Sequence, residues 1–240
     1  MWADNILLAN GREVLTGPSV EPRWSNDALG TTGPGFARVG DTSDPISGIF
    51  KIWSTPFASP MLFPENVDAT FDFSRYPLIE AVRVSQEVFN PATDAPTLNC
   101  ARKGMPTIME QPFPMQFVQQ AETILLRLEE YDTVRTIHMG ATSGGAEPAP
   151  SPLGHSKGRW EGDTLVVTTT HVNWPHFDTV GIPLSQAVEI VERFTPSEDG
   201  SRLDYRMTVT DPEVFTAPVV LEKFWLSLPG IELKPYECTP

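Results

Sequence analysis

Gly154-His155-Ser156-Lys157-Gly158-Arg159-Trp160-Glu161-Gly162-Asp163-Thr164-Leu165-Val166-Val167-Thr168-Thr169-Thr170-His171-Val172 is the stretch that decides the fold. Its β-branched and aromatic residues flank a short turn that contains a glycine, at Glu161-Gly162-Asp163. This arrangement is typical of a β-hairpin. The stretch therefore predicts two antiparallel strands, His155 to Trp160 and Thr164 to Val172.

The second strand of this hairpin alternates with a period of two. Alternation places Leu165, Val167, Thr169 and His171 on one face, so that an imidazole lies among aliphatic side chains. His155 and His171 lie near the outer ends of the hairpin, and we expect both to approach one site.

Strand patterns continue at regular spacing on both sides of the hairpin. We therefore predict an all-β fold, an antiparallel lipocalin-like barrel of about eight to ten strands, with a β-sandwich as the alternative. The other predicted strands are Ile46 to Ser54, Met115 to Gln120, Thr123 to Glu129, Val134 to Met139, Ala187 to Phe194, Leu203 to Thr210 and Val219 to Leu226. The predicted core, taken from the alternation, is Ile49, Trp53, Phe117, Leu126, Ile137, Leu165, Val167, Ile190, Tyr205, Met207, Leu221 and Trp225.

Glycine and proline separate the chain into three parts. Residues 1–45 read as a long N-terminal arm, and residues 46–240 as a single β-barrel domain. Within that domain, residues 55–114 form an irregular insertion or lid with at most one short helix, Leu78 to Phe89. Its candidates for lining an apolar cavity are Phe57, Met61, Phe63, Phe71, Phe73, Met105, Met109, Phe113 and Met115.

The charge balance limits the partners. Seventeen Lys and Arg residues against 31 Asp and Glu residues give a net charge of −14, which repels phosphate backbones and anionic lipid. We expect no nucleic acid and no membrane as partners, and a homo-oligomer stays open. The first residues lack the pattern of a signal peptide, so we expect a cytoplasmic protein with Cys100 and Cys238 as reduced, buried thiols.

Several motifs carry a resemblance to known proteins. The run from Gly154 to Val167, with Glu192-Arg193-Phe194 and Asp211-Pro212, resembles the signature of a large group of uncharacterised bacterial proteins. Cys100-x-x-x-Gly104-Met105-Pro106 and Tyr236-Glu237-Cys238 are similar to that group as well. The resemblance implies relatives that are often exported and whose cysteines usually pair. It implies no reaction.

The histidines suggest two kinds of chemistry. If the strand of His138 pairs with the hairpin, His138, His155 and His171 converge, and three imidazoles are enough for a zinc, iron or copper centre. However, no His-x-His spacing fixes two ligands locally, so we expect no metal and no cofactor. His176, in a Trp-Pro-His-Phe-Asp loop, reads as exposed.

Acid–base chemistry needs only a histidine beside a carboxylate in an apolar barrel. The candidate partners of His155 are Glu161, Asp163 and Glu192, and Tyr205 could donate its hydroxyl to a ligand. Each has a structural alternative: a solvated turn for Glu161 and Asp163, an ion pair for Glu192, and core packing for Tyr205. Trp160 is expected to be buried, so that its truncation costs about 3–5 kcal/mol.

Two classes of function follow, with a metal-dependent oxygenase or hydrolase as a third. The preferred one is a lyase or isomerase that dehydrates, hydrates or isomerises a small hydrophobic or aromatic compound inside an apolar barrel cavity. The alternative is a protein that binds such a compound without chemistry. Convergent ionisable groups in the cavity favour the enzyme, and their absence favours the binding protein.

Overall fold

A computed structural model describes most of the chain after residue 47. The chain divides into two units, Met1–Gly40 and Asp41–Pro240, and every described residue belongs to the second unit. The predicted arm, residues 1–45, lies outside the described residues. Those described are 48–55, 63–64, 76–86, 89–140, 148–179, 181–227 and 230–238.

Ten strands are described, and nine of them close into a barrel. Each strand pairs with the next in the order β1-β3-β4-β5-β6-β7-β8-β9-β10, and β10 pairs back with β1, while the short β2 adds to β10. The strands are β1 Ile52–Ser54, β2 Phe63–Pro64, β3 Met115–Gln120, β4 Thr123–Leu128, β5 Thr133–Met139, β6 His155–Glu161, β7 Thr164–Thr170, β8 Glu189–Pro196, β9 Arg202–Thr210 and β10 Val219–Ser227. The all-β, lipocalin-like barrel predicted from the sequence is confirmed, and the sandwich alternative is not adopted.

One pairing departs from the predicted antiparallel arrangement. β5 and β6 run parallel, with Ile137 opposite Ser156 and His138 opposite Lys157. The barrel is therefore mixed. Residues 140–154 separate the two strands, which is enough chain to return to the end where β5 begins, as a parallel neighbour requires.

The barrel interior is filled with side chains. The strands alternate between inward, buried residues and outward, more exposed ones; β9 is the clearest example, with Leu203, Tyr205, Met207 and Val209 inside. Aromatic rings meet across this interior: Phe194 lies 5.2 Å from Phe117 and 4.8 Å from Tyr205, centroid to centroid. All twelve residues of the predicted core are buried.

The insertion contributes short helices and part of the core. Two α-helices are described: α1 Glu80–Gln86 is the one short helix predicted in the Leu78 to Phe89 region, and the four-residue α2 Pro91–Asp94 lies outside that region. The side chain of Asn90 caps α2 by accepting a hydrogen bond from the backbone N–H of Ala92 at 3.0 Å. None of the helices in the described ranges is both long and apolar enough to cross a membrane.

The predicted cavity-lining residues of the insertion lie in different surroundings. Met105, Met109 and Met115 are completely buried, and Phe113 packs against Tyr236 at a centroid distance of 5.4 Å. The backbone of Phe63 belongs to β2. The remaining four lie outside the described residues: Phe57, Met61, Phe71 and Phe73.

A 3₁₀ helix at Thr107–Glu110 covers one end of the barrel, which we call the closed end. The buried Lys223 of β10 donates a hydrogen bond to the carbonyl oxygen of Met109 at 3.1 Å. A guanidinium nitrogen of Arg135, on β5, lies 4.0 Å from the Met109 sulfur. The Thr107–Glu110 segment of the predicted lid is therefore a plug that charged side chains of the barrel wall contact.

The two cysteines form a disulfide, which corrects the expectation of reduced thiols. Cys100 and Cys238 are 138 residues apart in sequence, and their Cα atoms lie 5.9 Å apart. They meet because the C-terminal segment folds back over the insertion and the β4–β5 connection. Tyr236 donates its backbone N–H to Asp132 at 3.3 Å and packs on Tyr131 at 4.8 Å, centroid to centroid.

We predict that removing this disulfide lowers the free energy of unfolding by about 2–5 kcal/mol, because the cross-link closes a long loop and restricts the unfolded chain. Urea unfolding of the Cys100→Ser/Cys238→Ser variant measures this loss. Wild type treated with dithiothreitol should match the variant, and dithiothreitol should not change the variant itself. Equal stability of the variant and the oxidised wild type would contradict the prediction.

Candidate functional site

The centre of the barrel holds a buried ion pair between Arg135 of β5 and Glu192 of β8. The Nη1 atom of Arg135 donates to Oε1 of Glu192 at 2.9 Å, and its Nη2 atom donates to the other carboxylate oxygen. Arg135 also donates from Nε to the hydroxyl of Ser156 at 3.0 Å and from Nη2 to that of Thr169 at 2.7 Å. The hydroxyl of Tyr205 donates to Glu192 at 2.8 Å. We call these five residues the central cluster.

The surroundings of the central cluster shift the pKa values of Arg135 and Tyr205. Burial lowers the pKa of Arg135, but the charge and hydrogen bonds of Glu192 outweigh burial and raise it. Burial and the negative charge of Glu192 raise the pKa of Tyr205 well above its usual value. Every member has a partner inside the cluster and is at most 2% exposed. Glu192 and Tyr205, both predicted site residues, therefore serve the cluster as structural partners in this geometry.

The histidines lie elsewhere, on the outer wall of the barrel. Because Arg135 and Ile137 point inward, alternation turns His138 outward, and its ring stacks on that of His155 with centroids 4.9 Å apart. Partial burial, followed by electrostatic repulsion from His138, Lys157 and His171, lowers the pKa of His155. The predicted approach of His138 and His155 is thus found, but outside the barrel interior.

His171 does not continue the face of β7 as predicted. The strand ends at Thr170, and His171 has a left-handed φ of +57°, which interrupts the alternation. Its Nδ1 lies 2.8 Å from the hydroxyl of Thr170. In the described ranges, no group of three or more His, Cys, Asp or Glu side chains has the arrangement needed to hold a metal ion.

The carboxylates proposed as partners of His155 are not brought to it. Glu161 lies at the other end of β6, six residues away, or roughly 20 Å along an extended strand. Asp163 follows in the hairpin turn beyond it. Glu192 is inside the barrel, whereas His155 is on the outer wall. The members of the predicted histidine–carboxylate set therefore lie in three separate places: His155 on the outer wall, Glu161 and Asp163 at the hairpin turn, and Glu192 inside the barrel.

An open groove of about 460 Å³ lies at the end of the barrel opposite the plug, and we call it the mouth groove. Ile124, Met139 and Gly158 occupy inward positions at this end of β4, β5 and β6. A Cβ atom on Gly158 would lie 2.4 Å from the Met139 sulfur, so only glycine leaves room for that side chain. The groove is lined by Gln119, Ile124, Met139, Gly140, Gly158, Arg159 and Trp160.

Trp160 forms one wall of the mouth groove and corrects the expectation that it is buried. Its exposed fraction is 44%, because β6 reaches the end of the barrel here and no further layer covers the indole in the described structure. Phe50 packs edge-on against it, with centroids 6.1 Å apart. A half-exposed tryptophan beside a groove is available to a ligand and contributes less to stability than a buried one.

The closed end contains ionisable groups that the sequence analysis missed. Burial, with the negative charge of Asp178, raises the pKa of Glu110 to about 8, although Lys103 and Lys223 oppose this shift. Burial lowers the pKa of Lys223 to about 7 against the attraction of Glu110 and Glu130. Lys103 forms an ion pair with Glu130 at 2.8 Å. We call these groups the closed-end cluster.

One sequence signal could have found part of these clusters. Lys223 stands at an inward position of β10, between Leu221 and Trp225, and Arg135 stands at an inward position of β5 beside Ile137. A cation on the buried face of an alternating strand requires a partner, because an unpaired charge is too costly to bury. The partners themselves come from distant segments, so the alternation alone does not identify them.

The space beside the closed-end cluster is small. A cavity of about 20 Å³, room for one water molecule, is lined by Thr107, Trp174, His176 and Asp178 among others. Burial lowers the pKa of His176, and its Nδ1 has no hydrogen-bond partner within the described structure. His176 is half-buried rather than exposed as predicted. A small organic substrate does not fit in this space as the chain is arranged.

Comparison with other proteins adds no assignment to these sites: no protein-family model matches the chain, and no curated protein matches it. The resemblance of the Gly154 to Val167 run and its accompanying motifs to a group of bacterial proteins therefore stays a prediction.

We predict that breaking the central ion pair on one side destabilises the protein by about 3–5 kcal/mol, because it leaves a buried charge without a partner. This applies to Arg135→Met and to Glu192→Leu, measured by urea unfolding. The double variant should lose less than the two single losses added, because it leaves no unpaired charge. Arg127→Met, at an exposed position on β4, is the control and should change the stability by less than about 0.5 kcal/mol. Strictly additive losses would show that the two side chains are not coupled.

We predict that Glu110 makes the stability fall as the pH rises from about 5 to about 8. The pKa of Glu110 is raised, so the folded state binds its proton more tightly than the unfolded state between 4.5 and about 8. Each pKa unit corresponds to about 1.4 kcal/mol. Lys223 has the opposite effect from about pH 7 to 10.5, because the unfolded state keeps that proton longer.

Urea unfolding at several pH values tests this prediction with Glu110→Gln, which keeps the shape and removes the titration. The variant should lose the decline in stability between pH 5 and 8. Glu129→Gln is a matched control in the neighbouring segment and should keep it. If wild type and Glu110→Gln have parallel pH profiles, Glu110 does not titrate with a raised pKa.

Proposed function

We propose that the protein binds a small hydrophobic or aromatic molecule in the mouth groove. The observation that carries the proposal is the half-exposed Trp160 on the wall of a groove of about 460 Å³. Binding sites for small molecules commonly measure about 300–1,000 Å³ and are mostly apolar. Met139 and Ile124 supply further apolar surface opposite the indole.

The side chains around the mouth groove favour binding over catalysis. Among the described residues that line the groove, Arg159 is the one ionisable residue, and it is paired with Glu161 at 2.7 Å. Chemistry on a bound compound needs a group that gives or takes a proton near neutral pH. An arginine remains protonated under these conditions. The groove thus has the features of a site that holds a compound and leaves it unchanged.

Acid–base catalysis is the second candidate, because the closed-end cluster contains Glu110 and Lys223, whose pKa values are shifted toward neutrality to about 8 and about 7. Such shifts often mark catalytic groups. The adjacent cavity, of about 20 Å³, is too small for a substrate, so a reaction there requires the plug to move. Acid–base catalysis is therefore the second candidate. A lyase or isomerase reaction would have to use these residues rather than His155.

The disulfide bears on the compartment in which the protein works. Disulfides such as Cys100–Cys238 persist in oxidising compartments and are rare in the cytoplasm. We therefore propose an oxidising compartment in place of the cytoplasmic location that the sequence suggests. The dithiothreitol experiment above measures how much the free energy of unfolding depends on this disulfide.

We predict that Trp160→Ala weakens the binding of an apolar aromatic probe by about thirtyfold, or about 2 kcal/mol, because a tryptophan wall is typical of a binding hot spot. Isothermal titration with the dye 1-anilinonaphthalene-8-sulfonate and with naphthalene derivatives measures the affinity. Val134→Ala, which removes an exposed apolar side chain from the outer wall of β5, is the control and should bind as wild type does.

The same experiment separates the two candidate functions. Recovery of the naphthalene compound unchanged after long incubation supports binding alone, and a product that disappears in Glu110→Gln supports catalysis. Equal affinities of wild type and Trp160→Ala would contradict a binding site at the mouth groove. The melting transition of Trp160→Ala should stay close to that of wild type, because the indole is half exposed.

A further inference from the structure

Arg159, which lines the mouth groove, shares one carboxylate with the guanidinium group of Arg193 on β8, and we call these two arginines with Glu161 the rim. Glu161 accepts hydrogen bonds from Arg159, at 3.1 Å from Nε and 2.7 Å from Nη2, and from Nη1 of Arg193 at 2.8 Å. These hydrogen bonds, first that from Arg193 and then those from Arg159, lower the pKa of Glu161. With Glu161 ionised, the three side chains together carry one excess positive charge.

The strand register extends this positive charge along the outer wall. Across β6, β7, β8 and β9, the register places Arg159, Val166, Arg193 and Arg206 in one row. Like charges directly opposite each other on neighbouring strands are unfavourable. Arg206 is partly compensated by an ion pair with Glu222 of β10. The row therefore contains three arginines and two glutamates, in a chain whose net charge is −14.

We infer that the ligand of the mouth groove is an amphipathic monocarboxylate, with its apolar chain against Trp160 and Met139 and its carboxylate at Arg159 and Arg193. This inference rests on the proposed function and deepens it. A single negative charge matches the single excess positive charge at the rim. A planar carboxylate also fits the forked donors of a guanidinium group.

The remainder of the protein's charge supports the same orientation. A net charge of −14 repels an anion from an acidic surface, so a local excess of positive charge such as the rim favours the approach of an anionic head group. The apolar lining begins directly beside this rim, because Arg159 and Trp160 are consecutive residues on β6 and both line the groove. An amphipathic molecule can therefore satisfy both regions at once.

The test compares dodecanoate with dodecanol, which have the same alkyl chain and differ in the head group. Isothermal titration at low ionic strength should show dodecanoate binding about fivefold more tightly, and salt should reduce that advantage. Arg159→Gln should remove the advantage, so that this variant binds dodecanoate and dodecanol with equal affinity. Arg127→Gln, the same substitution at an exposed position on β4, should leave both affinities unchanged.

A second variant, which is expected to raise the affinity for dodecanoate, distinguishes the proposed effect from simple misfolding. Glu161→Gln removes the carboxylate that competes for both arginines, so dodecanoate should bind about two- to fivefold more tightly while dodecanol does not. Equal affinities of wild type for dodecanoate and dodecanol would overturn the inference and leave the proposed function standing. If neither compound nor the aromatic probes bind, the proposed function itself fails.

Discussion

The buried ion pair between Arg135 and Glu192 is the interaction on which the rest of the structure depends. Each of these charges would cost several kcal/mol to bury alone, and each is offset by the other and by hydroxyl groups. The central cluster takes one residue from each of five consecutive strands, β5 to β9. A slip of one residue in any of these strands would turn its member to the outer wall and leave a buried charge unsatisfied. The cluster therefore fixes the register of half of the barrel.

Because its centre is occupied, the described part of the barrel has its cavities at the two ends rather than in the interior. Phe117, Phe194 and Trp225 fill the interior beside the ion pair, and the Thr107–Glu110 plug covers the closed end. The groove at the other end has an apolar wall next to a positively charged rim. Recognition at this mouth requires no opening of the packed core, whereas a reaction at the closed end requires movement of a plug that Lys223 holds.

The sequence predicted the barrel well, and the candidate site less well, for one physical reason. Alternation with a period of two is a local property, and it predicts which residues of a strand face inward. It correctly placed Tyr205 and Ile137 in the core, but it says nothing about whether a strand end is covered. Trp160 lies at an inward position, and it is half exposed because β6 reaches the end of the barrel there. His138 and His155 do approach each other, yet the alternation on β5 puts them on the outside.

The sequence by itself determined the strands, their inward faces and the turn of the central hairpin, because these depend on neighbouring residues. Only the tertiary structure decided which distant groups meet. The parallel pairing of β5 with β6, the Cys100–Cys238 disulfide and the contact of Arg135 with a carboxylate 57 residues away all depend on how the chain returns to itself. The free energy of burying a charge requires that Arg135 has a partner, but the closure of the barrel selects Glu192 as that partner.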